Sequence, residues 1–406
     1  MIHEFKKRWV SFGIGLIWLF VILWPLLGIK PEGLEFGTTF ALWGRLAVAA
    51  LCIMIVYELN VRGVFDGAKK AGSAITGSTR KAYAAIPQWL LLLILLALAL
   101  VFPSMTGRYG HDVACNVLIY VCLGLGLNIV VGLAGLLDLG YIAFYGVGAY
   151  TYALLSIHYQ LSFWMSLPIA GCLAAIAGCI IGYPTLRMRG DYLAIVTLGF
   201  GEIVRLILNN WMELTNGPNG LSGIKRPGVY WLDMTNGWTL EHFWVKKVWM
   251  YYYVILFIAI CTIIAVYRLN YSRIGRAWEA IREDETAAEL MGVNTFLLKL
   301  LAYASGAVFA GFAGAFFASR MRFVSPESFT FLESAMVLAM VVLGGMGSIP
   351  GVILGALALI ALPEVFREFD LYRMLVFGGV MTVMMLVRPK GLWPAKRVGR
   401  RSEEMD

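Results

Sequence analysis

The chain has 406 residues, 60% of them hydrophobic and 14% charged, with a formal net charge of +8. Its mean hydropathy of +0.76 is too high for an ordinary soluble domain. Many of its apolar runs approach 20 residues, the length a helix needs to cross the hydrocarbon core, so the sequence predicts an all-α, polytopic helical integral membrane protein. The runs are continuous, which excludes the alternating pattern of a β-barrel.

In chain order, WVSFGIGLIWLFVILWPLLG (9–28) follows Lys6, Lys7 and Arg8. It is too long for a signal-peptide core and is read as a retained span. Eleven further hydrophobic segments are expected at 39–59, 88–103, 113–133, 137–156, 163–184, 191–209, 248–268, 296–318, 331–348, 351–366 and 371–388. Two are short (88–103 and 351–366) and two are interrupted by polar residues (137–156 and 331–348), so 10–12 membrane segments are expected, some of them re-entrant.

Loop 60–87 is basic and rich in Gly, Ser and Ala, and reads as a cytoplasmic linker. It lies within an N-terminal extra hydrophobic domain, 1–105, ahead of a core at 106–395 and a charged cytoplasmic tail at 396–406. Placing the N-terminus in the cytoplasm puts 20 of the 33 Lys and Arg in inside segments and 10 outside, with Arg45, Arg205 and Lys299 inside spans. The positive-inside rule then predicts that both termini are cytoplasmic. It also accounts for the net positive charge without a nucleic-acid partner. The long external loop 210–247 holds the turn-rich NGPNGLSGIKRPG (216–228) and several interfacial tryptophans.

The chemistry of an enzyme is missing. No phosphate-binding GxxxxGK[ST], GxSxG or HExxH occurs. The six cysteines sit in apolar runs without metal-ligand spacing, and His3, His111, His158 and His242 fall at span ends and loops. No metal, no cofactor and no catalytic residue is expected. Any ATP that drives this chain would be bound by another polypeptide.

The densest charge lies in RIGRAWEAIREDETAAELMGV (273–293), on the predicted cytoplasmic side. As a helix it carries an apolar stripe of Ile274, Ala277, Trp278, Ile281, Ala288 and Met291. Its rim holds Arg273, Arg276, Glu279, Arg282, Glu283, Asp284 and Glu289. Arg276 with Glu279 and Arg282 with Glu285 are spaced for i,i+3 pairs. Thr286-Ala-Ala-Glu289 fits a capping box, and Gly292 fits a C-terminal stop, so one helix or two are both open. An exposed apolar ridge rimmed by mixed charge is what docking to a soluble protein requires; a solvated interfacial helix is the plainer alternative.

Polar residues inside spans are pathway candidates, because a lone charge in lipid costs about 2.5–3.5 kcal/mol or more. They are Asn128, Asp138, Tyr141, Glu202, Arg205 and Glu333. Each has a structural reading too. Glu202 and Arg205 are spaced as an intrahelical pair, and Asp138 is placed to cap the helix through Tyr141–Tyr150. Glycines interrupt two segments, at Gly124–Gly140 and at Gly344–Gly355. Unwound backbone beside a pathway and close helix packing both account for them.

Thr286-Ala-Ala-x-x-x-Gly292 resembles the EAA-x3-G loop of ABC importer permeases, with Thr286 in place of the Glu. Longer strings narrow the resemblance: GLGLNIVVGLAGLLDLGYIAFYGVGAY (124–150), RMRGDYLAIVTLGFGEIVRLILNN (187–210), GPNGLSGI (217–224), RIGRAWEAIREDE (273–285) and FVSPESFTFLESAMVLAMVVLGGMGSIPG (323–351). Over residues 110–395 the chain is similar to branched-chain amino-acid ABC transporter permeases of the LivM type. The resemblance implies an ABC importer permease fold with a cytoplasmic coupling loop at 270–293, in a bacterial inner membrane. It implies leucine, isoleucine and valine as substrates, with urea or short amides as the alternative within the family. It also implies four partners besides the lipid bilayer: a related LivH-type permease, a pair of cytoplasmic ATPase subunits and a periplasmic substrate-binding protein. The rival class is an ion-coupled secondary transporter, with Glu202, Asp138 and Glu333 as proton or sodium sites.

Overall fold

In a computed structural model, the described residues are 99–365, apart from 104–105, 189, 234–238 and 245–246, together with 391–393 and the backbone of 29–30 and 33–34. The chain divides into two units, Met1–Ala97 and Leu98–Asp406. The first contributes an antiparallel pair, β1 (Ile29–Lys30) with β2 (Gly33–Leu34). The predicted spans 9–28, 39–59 and 371–388, most of 88–103, the linker 60–87, Arg45 and the tail 396–406 lie outside the described residues.

The second unit is helical. The helices are α1 (Arg108–Leu127), α2 (Ile142–His158), α3 (Phe163–Thr185), α4 (Asp191–Asn210), α5 (Val248–Asn270), α6 (Arg273–Glu283), α7 (Glu285–Leu290), α8 (Thr295–Met321), α9 (Phe331–Gly344) and α10 (Ile349–Ala356). Among the described residues six helices are long and apolar enough to cross a membrane. The long apolar runs became α1, α3, α4, α5 and α8 with ends shifted by a few residues. α1 continues from Leu127 into a π-helical stretch, Asn128–Leu133.

The core is built on α8, which packs against α3, α2 and α1, while α5 covers the other side of α1. Small residues set these approaches. A Cβ on Gly148 of α2 would lie 2.4 Å from the Cα of Gly311 in α8, so the two backbones touch. Gly178 of α3, where such a Cβ would lie 2.9 Å from Ala307, plays the same part.

The interrupted segment 331–348 ends at Gly344, and Gly345–Ser348 turns the chain back into α10. Gly351 faces Gly344 and Gly355 faces Met340, the register of an antiparallel helical hairpin. The second glycine cluster therefore serves close packing at Gly344, Gly351 and Gly355.

Two ends of the bundle are distinguishable. At one, loop 216–228 is pinned to the core: Tyr152 donates to Lys225 O (2.8 Å), Trp164 to Gly228 O (3.0 Å), and β3 (Leu221–Ser222) pairs with β6 (Phe323–Val324). Beyond it β4 (Gly228–Asp233) and β5 (Thr239–Trp244) form a hairpin, so small strands join a fold expected to be purely helical. At the other end lie the π-helical stretch, the α3–α4 connection, α6, α7 and the α9–α10 turn.

Candidate functional site

The charged stretch 273–293 folds as two helices. Asp284 takes an extended conformation (φ −153°, ψ 109°) between α6 and α7. Ser272 caps α6 by accepting from Gly275 N, and Asp284 caps α7 by accepting from Ala287 N at 3.0 Å. The expected Thr286–Glu289 box is thereby corrected: Thr286 is already inside α7, and the cap lies two residues earlier. The far end of α7 is a Schellman motif. Gly292 N bonds Glu289 O (2.9 Å) and Val293 N bonds Ala288 O (3.1 Å), with Gly292 at φ +85°.

Apart from Met291, the apolar stripe does not face solvent, which corrects the expectation of an exposed ridge. Trp278, Ile281 and Ala288 are buried, and Ile274 and Ala277 are half-buried. Trp278 is 0% exposed and its Nε1 donates to Leu298 O of α8 at 2.7 Å. Lys299 of α8, also buried, pairs with Glu285 at 2.6 Å. The predicted local pairs give way to this longer-range bonding: Glu285 takes Lys299, Arg282 reaches Gly132 O, and no Arg276–Glu279 pair forms among the described residues. The break at Asp284 explains the first change, because it takes Glu285 off the helical line of Arg282. Glu279 is half-buried, while Arg273, Arg276, Glu283, Asp284, Glu289 and Gly292 are exposed. Leu290 and Met291 stand out at the tip of α7, each 84% exposed.

Beneath α6, the two glycine-broken segments meet. Arg282 donates from Nη1 to Gly132 O in the π-helical stretch. Asn128, at the start of that stretch and 1% exposed, accepts from Gly347 N at 2.8 Å. Gly132 leaves the room for this contact: its Cβ would lie 2.1 Å from Asn128 Oδ1 and 2.5 Å from Gly347 N. Residues 391–393 close over the same turn, Leu392 N bonding Leu343 O (2.8 Å) and Trp393 N bonding Gly344 O (2.9 Å). A continuous chain of contacts thus runs from α6 through the break in α1 to the α9–α10 turn.

Asp138 is buried at the same end, but it does not cap α2. Its Oδ1 accepts from Gly140 N at 2.9 Å, and the N–H of Ile142 is taken by Ser334 Oγ of α9 at 3.0 Å. The correction has a geometric cause: the carboxylate closes a tight turn two residues on, short of the first helical N–H. Asp138 Oδ2 has no hydrogen-bond partner among the described residues. Tyr141 is fully buried and donates to Gly306 O at 2.9 Å, tying the start of α2 to α8. Glu333 of α9 accepts from the Tyr120 hydroxyl of α1. Glu202 and Arg205 form the intrahelical pair, Nε to Oε2 at 2.7 Å. These pathway candidates therefore do not converge on one cavity. Three of them, Asn128, Asp138 and Tyr141, sit near the break in α1, and the others are separate.

Some contacts were outside the reach of sequence reading. Arg320, in the last turn of α8, bonds Asn116 (2.7 Å) and Asp112 (3.1 Å) on α1. Lys299 and Ser334 also act on elements far along the chain. The one local signal was their position: a cation or hydroxyl inside an apolar run needs a partner.

The family model described as branched-chain amino acid transport system, permease component, matches residues 111–387. The chain is 51% identical over 344 residues, covering 82% of its length and 80% of the relative's, to the high-affinity branched-chain amino acid transport system permease protein LivM of Escherichia coli (strain K12). It is 26% identical over 310 residues, 68% of its length and 86% of the relative's, to the probable branched-chain amino acid transport permease protein LivM of Methanocaldococcus jannaschii. It is 25% identical over 291 residues, 67% and 90% of the two chains, to the permease protein LivH of the same Escherichia coli strain. No solved structure matches the chain.

Proposed function

The chain belongs to the family of branched-chain amino acid transport permease components, and from that premise we propose that it is the LivM-type subunit of an ATP-driven importer for leucine, isoleucine and valine. Its partners are a LivH-type permease, two ATPase subunits and a periplasmic binding protein that delivers the amino acid. Neither ATP nor any other cofactor is bound by this chain. It lies in a bacterial inner membrane with the α6–α7 end in the cytoplasm, the side assigned by the excess of Lys and Arg.

One observation carries the mechanical part of this reading. The element α6–Asp284–α7 is fastened from below by Trp278, Glu285 and Arg282, and it presents charge and the Leu290–Met291 tip outward. That is the form of a coupling element. Its outer face binds the ATPase, and its inner face moves the helices that line the pathway. Trp278, Ile281 and Ala288 contribute by seating the element, while Arg273, Arg276, Glu283 and Asp284 meet the partner.

The test uses the full importer. Replacing Leu290 and Met291 together by Asp changes two side chains that touch little of this chain, so membrane insertion and pairing with the second permease are expected to persist. Co-purification of the ATPases is expected to be lost. ATPases that still co-purify in full would remove α7 from the contact.

A further inference from the structure

The Glu202–Arg205 pair has no structural task that explains its position. At about 1.5 Å per residue, Glu202 lies about 16 Å and Arg205 about 21 Å from the first residue of α4, in the interior of the span. Of the six membrane-length helices α4 is the least covered by this chain, with 17% of its apolar window buried against 39–72% for the rest. Each side chain is about one third exposed, 31% for Arg205 and 33% for Glu202, and among the described residues their only hydrogen-bond and ion-pair partners are each other.

The helix surface around the pair is organised. Ile195, Ile203, Leu206 and Ile207 form an exposed apolar stripe, and Leu193, Ala194 and Thr197 face the core. On a helical projection at about 100° per residue, Glu202 and Arg205 fall on one flank between these two faces. One turn before Glu202, Gly199 leaves open space: no heavy atom lies within 4 Å of where its Cβ would be. A charged pair inside a span is costly if it faces lipid.

The pair also keeps unused bonding capacity. Arg205 uses Nε and retains its two Nη groups; Glu202 uses Oε2 and retains Oε1. The chemistry that matches these groups is a zwitterion. A guanidinium fork takes a carboxylate in two parallel bonds, and a carboxylate takes an ammonium. We propose that Glu202 and Arg205 form a transit subsite for the backbone of an α-amino acid, with its α-carboxylate on Arg205 and its α-ammonium on Glu202. The aliphatic side chain lies against the neighbouring exposed apolar stripe of α4 around Gly199. Before the substrate arrives the two residues neutralise each other, and with it bound four charges alternate in sign. No unpaired charge appears in the membrane at any stage. The subsite reads only the backbone shared by all α-amino acids, so it does not discriminate among side chains. The proposal rests on the importer reading above and names the chemistry within it.

The experiment is leucine uptake into vesicles holding the complete importer with its binding protein, with ATPase activity and subunit co-purification recorded on the same preparations. The charge-reversed double variant E202R/R205E preserves an intrahelical pair but inverts its polarity. It is expected to co-purify with its partners and keep ATPase stimulation by the liganded binding protein, while uptake falls at least about tenfold, a change of 1.36 kcal/mol in the barrier. R205K is the second variant: it keeps an ion pair with Glu202 and replaces the fork by a point charge. It is expected to slow uptake by a similar factor with assembly intact. Uptake at the wild-type rate in either variant would reduce the pair to a structural one and overturn the proposal. Loss of the second permease from either variant would make it a subunit contact and overturn it too. Wild-type importer that neither hydrolyses ATP in response to binding protein nor takes up leucine would instead refute the importer reading.

Discussion

The contact between Asn128 and Gly347 gives a prediction whose size follows from the geometry. Gly347 N–H is buried and its acceptor is Asn128 Oδ1 at 2.8 Å. Asn128→Ala leaves that donor without a partner, which costs about 1–3 kcal/mol. Gly132→Ala attacks the same point from the other side, since its Cβ would meet Asn128 Oδ1 at 2.1 Å and Gly347 N at 2.5 Å. Overpacking of this kind costs about 1–3 kcal/mol. The two effects share one cause of strain. In the double variant the Asn128 amide is gone and half of the clash goes with it, while the clash with the Gly347 backbone stays. The double variant is therefore expected to lose less than the sum of the singles, with an interaction energy of at least about 0.5 kcal/mol. Equilibrium unfolding of the purified chain in mixed detergent micelles measures all three. Additive losses, or singles within about 0.5 kcal/mol of wild type, would refute the claim that Asn128 joins the two broken segments.

Trp278→Ala empties a fully buried indole site and is expected to cost about 3–5 kcal/mol. Trp278→Phe removes mainly the bond to Leu298 O and should lose closer to 1 kcal/mol in the same unfolding assay. Lys299→Met and Glu285→Gln together are expected to be less damaging than Glu285→Gln alone, because the single variant leaves a buried ammonium unpaired; a double-mutant cycle reads the difference. Asp138→Asn keeps an acceptor for Gly140 N and removes a buried carboxylate whose Oδ2 has no hydrogen-bond partner among the described residues, so its stability should equal or exceed wild type, whereas Asp138→Ala should be less stable. Gly148→Ala must push α2 off the backbone of α8 and is expected to lower stability by more than 1 kcal/mol, again by unfolding.

The helices were legible because burial in lipid demands long apolar runs, and α3, α4, α5 and α8 follow those runs closely. The stop at Gly292 was legible for a local reason as well, since only glycine takes φ +85° cheaply. The Glu202–Arg205 pair needed only a helical register. What sequence reading missed is non-local. The cap on Ile142 comes from Ser334 and the partner of Glu285 is Lys299, and neither follows from spacing along one helix. The sequence leaves one helix or two open, and its capping-box pattern at Thr286–Glu289 points two residues past the Asp284 cap that starts α7, because Asp284 has Ala287 where a box needs Glu or Gln. The stripe through Trp278 and Ile281 is legible as apolar, but the expected exposed ridge is covered by α8 of the same chain. Periodicity states that a face is apolar, and it cannot state whether the cover is the same chain or another one.

That ambiguity has a mechanical consequence. A coupling helix with its apolar ridge against the ATPase would follow the ATPase, and its link to the membrane helices would be the weaker joint. Here the ridge is against α8, the indole of Trp278 is sealed, and Arg282 grips the carbonyl of Gly132 in a stretch whose π-helical winding already departs from regular hydrogen bonding. Under the coupling role proposed above, displacement of α6 would pass to α8 and to the break in α1 together, and through Asn128 to the α9–α10 turn. Charge on the outer face suits the opposite requirement, a contact that is specific in register yet does not compete with the seating below. The high charge of residues 273–293 in so apolar a chain belongs to the outer half of an amphipathic element whose apolar half is seated on α8; under the proposed coupling role, that outer half is what would meet the partner.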